Sequence, residues 1–175
     1  MEWTKTHVHC TFHLCWGAYA GLYYHYGIEK LDMPKKLFGI YSHEIRKETS
    51  PLFRGFNDHF LAPHSRATDV RLSDVEAIPN LEVMAVTETG SLAIAKTTDS
   101  RQFFVTCHAE YDRETLSLEY ERDMKKGLTS VDLPVNYYPN DDPTQIPSMT
   151  WRSTGQLLYS NWLNFYVYQS TPYEL

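Results

Sequence analysis

The sequence predicts an α/β layered domain spanning residues 1–175. Two local patterns and one global feature predict it. Val8, Cys10, Phe12 and Leu14 alternate with His7, His9, Thr11 and His13, the two-residue period of a strand. Directly after it, Trp16 to Tyr26 is rich in small and aromatic residues and stops at Gly27, which reads as a helix with a glycine C-cap. Beyond that point strand-like and helix-like segments are mixed, with no internal repeat, low-complexity segment or linker.

The remaining elements follow in order. Leu37 to Tyr41 is a short apolar run suited to a second strand. Ser50 to Arg66 contains Pro51, Gly55, Asn57, Asp58 and Pro63, and reads as a loop. Leu81 to Val86 and Leu92 to Ala95 read as two strands of a hairpin turning at Thr89-Gly90. Phe103 to Thr106 is a further strand. Asp112 is placed to cap a helix running to about Lys126. Pro134 to Pro147 is a polar, proline-punctuated loop. Ser153 to about Tyr168 closes the chain as a helix, with Leu157, Leu158, Trp162, Phe165 and Tyr166 on its buried face. A chain that begins almost at its first strand points to the C-terminal part of a longer protein.

Composition removes several classes of function. The chain is 42% hydrophobic, enough for a real core. Its formal net charge is -6, and no basic tract is present, so a nucleic-acid footprint is missing. No apolar run is long enough to cross a bilayer, and Met1-Glu2-Trp3-Thr4-Lys5 lacks a signal-peptide layout. A cytoplasmic protein is expected, with no membrane partner. Three cysteines, Cys10, Cys15 and Cys107, do not form a disulfide framework and should be free thiols.

Cys15 stands where the first strand turns into the helix. The thiolate is the reactive form of cysteine, and a helix N-terminus stabilises it with partial positive charge and free N–H groups. A sharp strand-to-helix turn also lifts the side chain out of the sheet. Gly17 would relieve crowding there, although His13 occupies the place where such elbows usually have a glycine. The Trp16 N–H is a candidate oxyanion donor because it follows the nucleophile directly. A buried cysteine at a strand end is the commoner occurrence. A nucleophile needs a base, and the base an orienting group. His108, just past the Phe103 to Thr106 strand, and Glu110 two residues on can supply both, or be a surface His beside a surface Glu.

Other clusters carry less. His7, His9 and His13 are too spread along one strand to converge on a metal. His43, His59 and His64 have no metal-ligand spacing either. Arg54, Arg66, Arg122 and Arg152 are the cations placed to meet a carboxylate, or to form ordinary ion pairs.

Read together, the segments around these residues resemble the homoserine O-acetyltransferases and O-succinyltransferases. The likeness runs through Phe12-His13-Leu14-Cys15-Trp16-Gly17-Ala18, Phe53-Arg54-Gly55-Phe56-Asn57-Asp58 and Ala62-Pro63-His64-Ser65-Arg66. It continues through Val105-Thr106-Cys107-His108-Ala109-Glu110-Tyr111-Asp112 and Asn136-Tyr137-Tyr138-Pro139-Asn140-Asp141-Asp142-Pro143. It ends in Asn161-Trp162-Leu163-Asn164 and Thr171-Pro172-Tyr173. Cys107 and Ala109 depart from the Gly and Pro more frequent in that family. The resemblance implies a class I glutamine-amidotransferase-like (flavodoxin-like) layered sheet without its N-terminal strands, as the C-terminal portion of the family domain. It implies catalysis by Cys15, His108 and Glu110, and substrate binding by Lys36, Ser65 and Arg122. In that scheme Arg122 pairs with the amino-acid carboxylate, while Lys36 and Ser65 line the pocket. The implied reaction is ping-pong: an acyl group passes from acetyl-CoA or succinyl-CoA to Cys15 and then to homoserine, for methionine biosynthesis. Acetyl is favoured, as the commoner donor in the family. No metal or bound cofactor is implied, and a homodimer is.

Three alternatives stand beside this expectation. Serine differs from homoserine by one methylene, worth about 1–3 kcal/mol of discrimination, so O-acetylation of serine for cysteine synthesis is the second enzyme reading. An incomplete piece that pairs with another chain is the non-enzymatic one. A glutamine amidotransferase shares the Cys–His–Glu set but not the surrounding motifs.

Overall fold

The computed structural model describes residues 1–127 and 131–172; Tyr173 of the last motif lies outside them. A six-stranded mixed sheet forms in the order β1-β6-β5-β4-β2-β3. The strands are β1 (Thr11–Leu14), β2 (Lys30–Ile45), β3 (His59–Val70), β4 (Leu81–Thr87), β5 (Leu92–Thr97) and β6 (Gln102–Val105). Only β1 and β6 run parallel among the described pairs; every other neighbouring pair is antiparallel. Helices α1 (Thr4–His7), α2 (Trp16–Tyr26), α3 (Leu72–Glu76), α4 (Thr115–Lys125) and α5 (Arg152–Asn161) accompany the sheet. No helix among the described residues is long and apolar enough to cross a membrane.

Several elements form as the residue pattern dictates. Helix α2 ends at Gly27, whose φ of 68° is left-handed and whose N–H returns to the Leu22 and Tyr23 carbonyls. Strands β4 and β5 form the hairpin, closed by the Thr87 N–H on the Ser91 carbonyl at 2.9 Å and by Gly90 at φ 80°. The C-terminal helix is α5 followed by a π-helical stretch, Trp162–Tyr168. Leu158 and Tyr166 are buried against Phe103, Val105 and Cys107.

Others differ, each for a physical reason. The first strand is shorter than its alternation predicts, and His7 closes α1 instead. The Trp3 ring stacks on His7 at 4.5 Å, and the Arg101 guanidinium takes the Val8 and His9 carbonyls at 2.8 and 2.9 Å, which draws that segment off the ladder. The run Leu37–Tyr41 is the centre of the much longer β2. The stretch expected as a loop to Arg66 becomes β3 from His59 onward. Its Pro63 is tolerated because β3 is an edge strand, where a missing N–H breaks no ladder bond. Asp112 does not cap α4: the helix starts at Thr115 behind Glu114, and only the Asp112 backbone carbonyl takes part, accepting from Thr115. Helix α3 carried no pattern long enough to announce it.

The expected Pro134–Pro147 loop is stitched to the sheet. Val135 bridges β2 on either side of Gly39, donating to the Phe38 carbonyl at 2.9 Å and accepting from the Ile40 N–H at 2.8 Å. Behind that bridge Tyr137, Tyr138 and Trp151 pack with Phe38, Ile40 and Leu116 into a core under α4. This core fixes α4 over the sheet, which positions the site.

Candidate active site

The ends of β1 and β6 create the candidate site. The strands pair in register up to Leu14 and Val105, and the Cys15 N–H extends the ladder by donating to the Val105 carbonyl at 2.7 Å. The chain then turns at once. Cys15 has φ 47° and ψ -111°, a left-handed conformation that costs about 1–3 kcal/mol for a residue with a side chain. The Ala18 and Tyr19 N–H groups return to the Cys15 carbonyl, so α2 begins there. The Trp16 and Gly17 N–H groups stand in its first turn, where a helix has no internal acceptor. The partial positive end of α2 therefore lies at the thiol.

His108 follows β6 and reaches the same point. Its ring lies close enough to the Cys15 sulfur for the two groups to interact. Its Nδ1 donates to Glu110 Oε1 at 2.6 Å, which leaves Nε2 for the thiol. Burial pulls the imidazole pKa down, but the hydrogen bonds and negative charges of Cys15 and Glu110 outweigh it and hold His108 up at about 9. Glu110 is oriented in turn by the Tyr159 hydroxyl, which donates to Oε2 at 3.3 Å. Helix α5 approaches closely enough that a side chain at Gly155 would overlap the Ala109 carbonyl. The other two cysteines are buried, and burial pushes the Cys107 thiol up to about 12, whereas Cys15 is only half-buried.

A second cluster adjoins the first. Glu119 of α4 accepts the Ser65 hydroxyl on Oε2 at 2.5 Å and the Tyr111 hydroxyl on Oε1 at 2.8 Å. Lys36 lies 3.7 Å from Glu119 and 3.7 Å from Asp123, and Asp123 accepts from Arg122 Nε at 2.8 Å. Lys36, Ser65 and Arg122 thus share one network, with Lys36 and Ser65 meeting on Glu119 and Arg122 at the exposed rim. The Tyr111 ring stacks on His108 at 4.2 Å and so joins this network to the reactive pair. A hollow of about 370 Å³ opens beside Lys36, between Phe38 and Asp123.

Tyr111, Glu119, Asp123 and Tyr159 were not singled out from the sequence. Glu119, Arg122 and Asp123 do fall at three- and four-residue intervals on one face of α4, a weak signal that also describes any solvated helix. The other arginines lie elsewhere. Arg54 lies over the Phe165 ring, Arg152 contacts the Met149 sulfur, and Arg66 is buried beside Asp69. His7, His9 and His13 do not share a strand. Among the described residues no group of His, Cys, Asp and Glu is arranged to hold a metal ion.

A strained cysteine between strand and helix, answered by a histidine and a glutamate from the parallel neighbour, sits here on a class I glutamine-amidotransferase-like fold. Solved glutamine amidotransferases from Thermotoga maritima and Methylobacillus flagellatus superpose with TM-scores of 0.57 and 0.58 over 87% of this chain. At 14% and 15% identity, over 60% and 61% of those chains, the likeness is one of fold. The sequence profile described as homoserine O-succinyltransferase matches residues 1–173, and the chain belongs to that family. It is 55% identical to a homoserine O-acetyltransferase from Agathobacter rectalis and 54% identical to one from a Geobacillus species, over 99% of its own length. It spans 56% and 57% of the length of those relatives.

Proposed function

We propose that this chain carries the catalytic centre of a homoserine O-acyltransferase that works through an acyl-thioester on Cys15, with acetyl-CoA as donor. The observation that carries the reading is the Cys15–His108–Glu110 constellation joined through Tyr111 to the polar network around Glu119. Curated relatives named homoserine O-acetyltransferase supply the acceptor and the acyl group.

In the first half-reaction the Cys15 thiolate attacks the acyl carbonyl of acetyl-CoA. Helix α2 and the Trp16 N–H face the developing oxyanion. The carbon–sulfur bond to CoA breaks, and His108 gives the leaving thiolate its proton. In the second, the homoserine hydroxyl passes its proton to His108 Nε2 and attacks the Cys15 thioester, releasing O-acetylhomoserine and the thiolate. Glu110 keeps the imidazole in the tautomer both steps need. Glu119 offers a carboxylate to the substrate ammonium, and Arg122, three residues along α4, offers a two-pronged donor to its carboxylate. The product would serve methionine synthesis.

Intact-mass measurement after incubation with acetyl-CoA or succinyl-CoA tests this directly. A gain of one acetyl group from acetyl-CoA, lost in Cys15→Ser, is the expected result. A gain from succinyl-CoA alone would reassign the donor. A folded chain that gains nothing from either would refute a thioester formed by this chain.

A further inference from the structure

Strand β3 serves the candidate site with two of its residues and hides the one between them. The Pro63 carbonyl accepts the backbone N–H of His108 at 2.8 Å, and the Ser65 hydroxyl holds Glu119. His64 lies between them. Because side chains alternate along a strand, its ring goes to the opposite face, where it is fully buried. There it meets His43 of β2, also fully buried, with the rings 5.0 Å apart and 19° from parallel. The two Nε2 atoms are 2.8 Å apart, a distance that requires one proton between them.

The direction of every bond in this cluster can be assigned. A guanidinium N–H only donates, and Arg66 Nε points at His64 Nδ1 at 3.2 Å, so that nitrogen is a bare acceptor. The His64 proton is then on Nε2 and is donated to His43 Nε2. His43 must carry its own proton on Nδ1, which faces the Phe60 carbonyl at 3.2 Å. Arg66 is itself fixed, with Nη1 on the Thr68 carbonyl at 2.7 Å and on Asp69 at 3.1 Å. A second proton on either ring would set two N–H groups against each other. Burial opposes that proton too, holding His43 down to about 4 and His64 well below the usual histidine range.

We infer that His43 and His64 form an uncharged imidazole pair, each ring locked in one tautomer, that positions Pro63 and Ser65 and through them His108 and Glu119. Neither ring touches substrate in this scheme; both are positioning residues. The inference rests on the proposed role of Cys15 and His108, and its test is read independently of acyl transfer.

Long-range proton–nitrogen correlation spectra of the chain with 15N-labelled histidine report tautomers directly. At neutral pH the expected result is His43 protonated on Nδ1 alone and His64 on Nε2 alone. A charged ring at either position, or the opposite tautomer, overturns the pair. Positioning is tested with two substitutions. His64→Gln keeps a donor near the Nε2 position, whereas His64→Asn keeps only an acceptor toward Arg66. The His108 ring signals should move in His64→Asn and stay in place in His64→Gln. Alkylation of Cys15 by iodoacetamide, located by peptide mass, should slow about tenfold in the Asn variant only, as expected for a displaced reactive partner. Equal behaviour of the two variants overturns positioning. If Cys15 is unreactive in the unchanged chain while His108 responds as described, the proposed function fails and the pair stands. If the Asn variant does not fold, the tautomers in the unchanged chain still decide.

Discussion

Replacing Gly39 by alanine should destabilise the chain by about 3 kcal/mol, combining a strained backbone with overpacking against an immovable neighbour. Gly39 has φ 136°, a conformation that side chains rarely adopt. A methyl group there would overlap the backbone nitrogen and oxygen of Val135, which bridge to β2 on both sides of the glycine. Neither can retreat without breaking those bonds. The loop would lift, and with it the packing of Tyr137, Tyr138 and Trp151 under α4. For a chain of this size the loss corresponds to roughly 10 °C in melting temperature, measurable by circular dichroism. Thiol reactivity at Cys15 should survive in the remaining folded fraction, because the β1–β6 ends do not pass through this bridge. An unchanged melting temperature would mean that Val135 yields freely and does not anchor the loop.

The second large effect concerns His108. Replacement by glutamine removes the proton carrier of both proposed half-reactions, and acylation of Cys15 should slow by roughly 10²–10⁴-fold. The substitution should also change how stability varies with pH. The His108 pKa is raised from the ordinary 6.5 to about 9 by its contacts with Cys15 and Glu110, against the pull of burial. A raised pKa means that the folded state holds the proton more tightly. The resulting stabilisation is complete below about 6.5 and is lost as pH rises through about 9. Melting temperatures from neutral to alkaline pH should therefore show an advantage of the unchanged chain over His108→Gln that fades near pH 9. A constant difference across that range would show that the ring is uncharged throughout.

What could be read from the sequence was what depends on neighbours along the chain. Cys15 between an alternating segment and a helix, Gly27 at the helix end, and the hairpin around Gly90 all rest on a few consecutive residues. The likeness of the motifs pointed to His108 and Glu110 beside Cys15, and to Lys36, Ser65 and Arg122, which the structure joins in one network of contacts through Glu119 and Asp123. Strand β3 was hidden because Pro51, Gly55, Asn57, Asp58 and Pro63 are turn residues by composition. Only the edge position of the strand, a property of the whole sheet, makes Pro63 acceptable. Glu119 was hidden for another reason. A carboxylate on a polar helix looks like solvated surface until Ser65, 54 residues away in sequence, is seen to bond it. His43 and His64 lack metal-ligand spacing, but nothing local could show that they pair with each other.

The parallel pairing of β1 and β6 has a consequence for variation along the chain. Cys15 follows the last paired residue of one short ladder and His108 stands three residues past its partner, so their approach depends on the match of Leu14 to Val105 and on the Pro63 carbonyl that holds the His108 N–H. Strands β2 to β5 and their connections lie between the two in sequence, yet they support the ladder from one side only. Loops among them can lengthen or shorten without moving the thiol relative to the imidazole as long as Pro63 of β3 keeps its bond to His108. A two-residue slip of β1 on β6 would preserve every inward-facing side chain and still shift the pair by about 6.6 Å, more than a full turn of helix length. Tolerance to insertion should therefore be high around the hairpin at Gly90 and absent between Thr11 and Cys15.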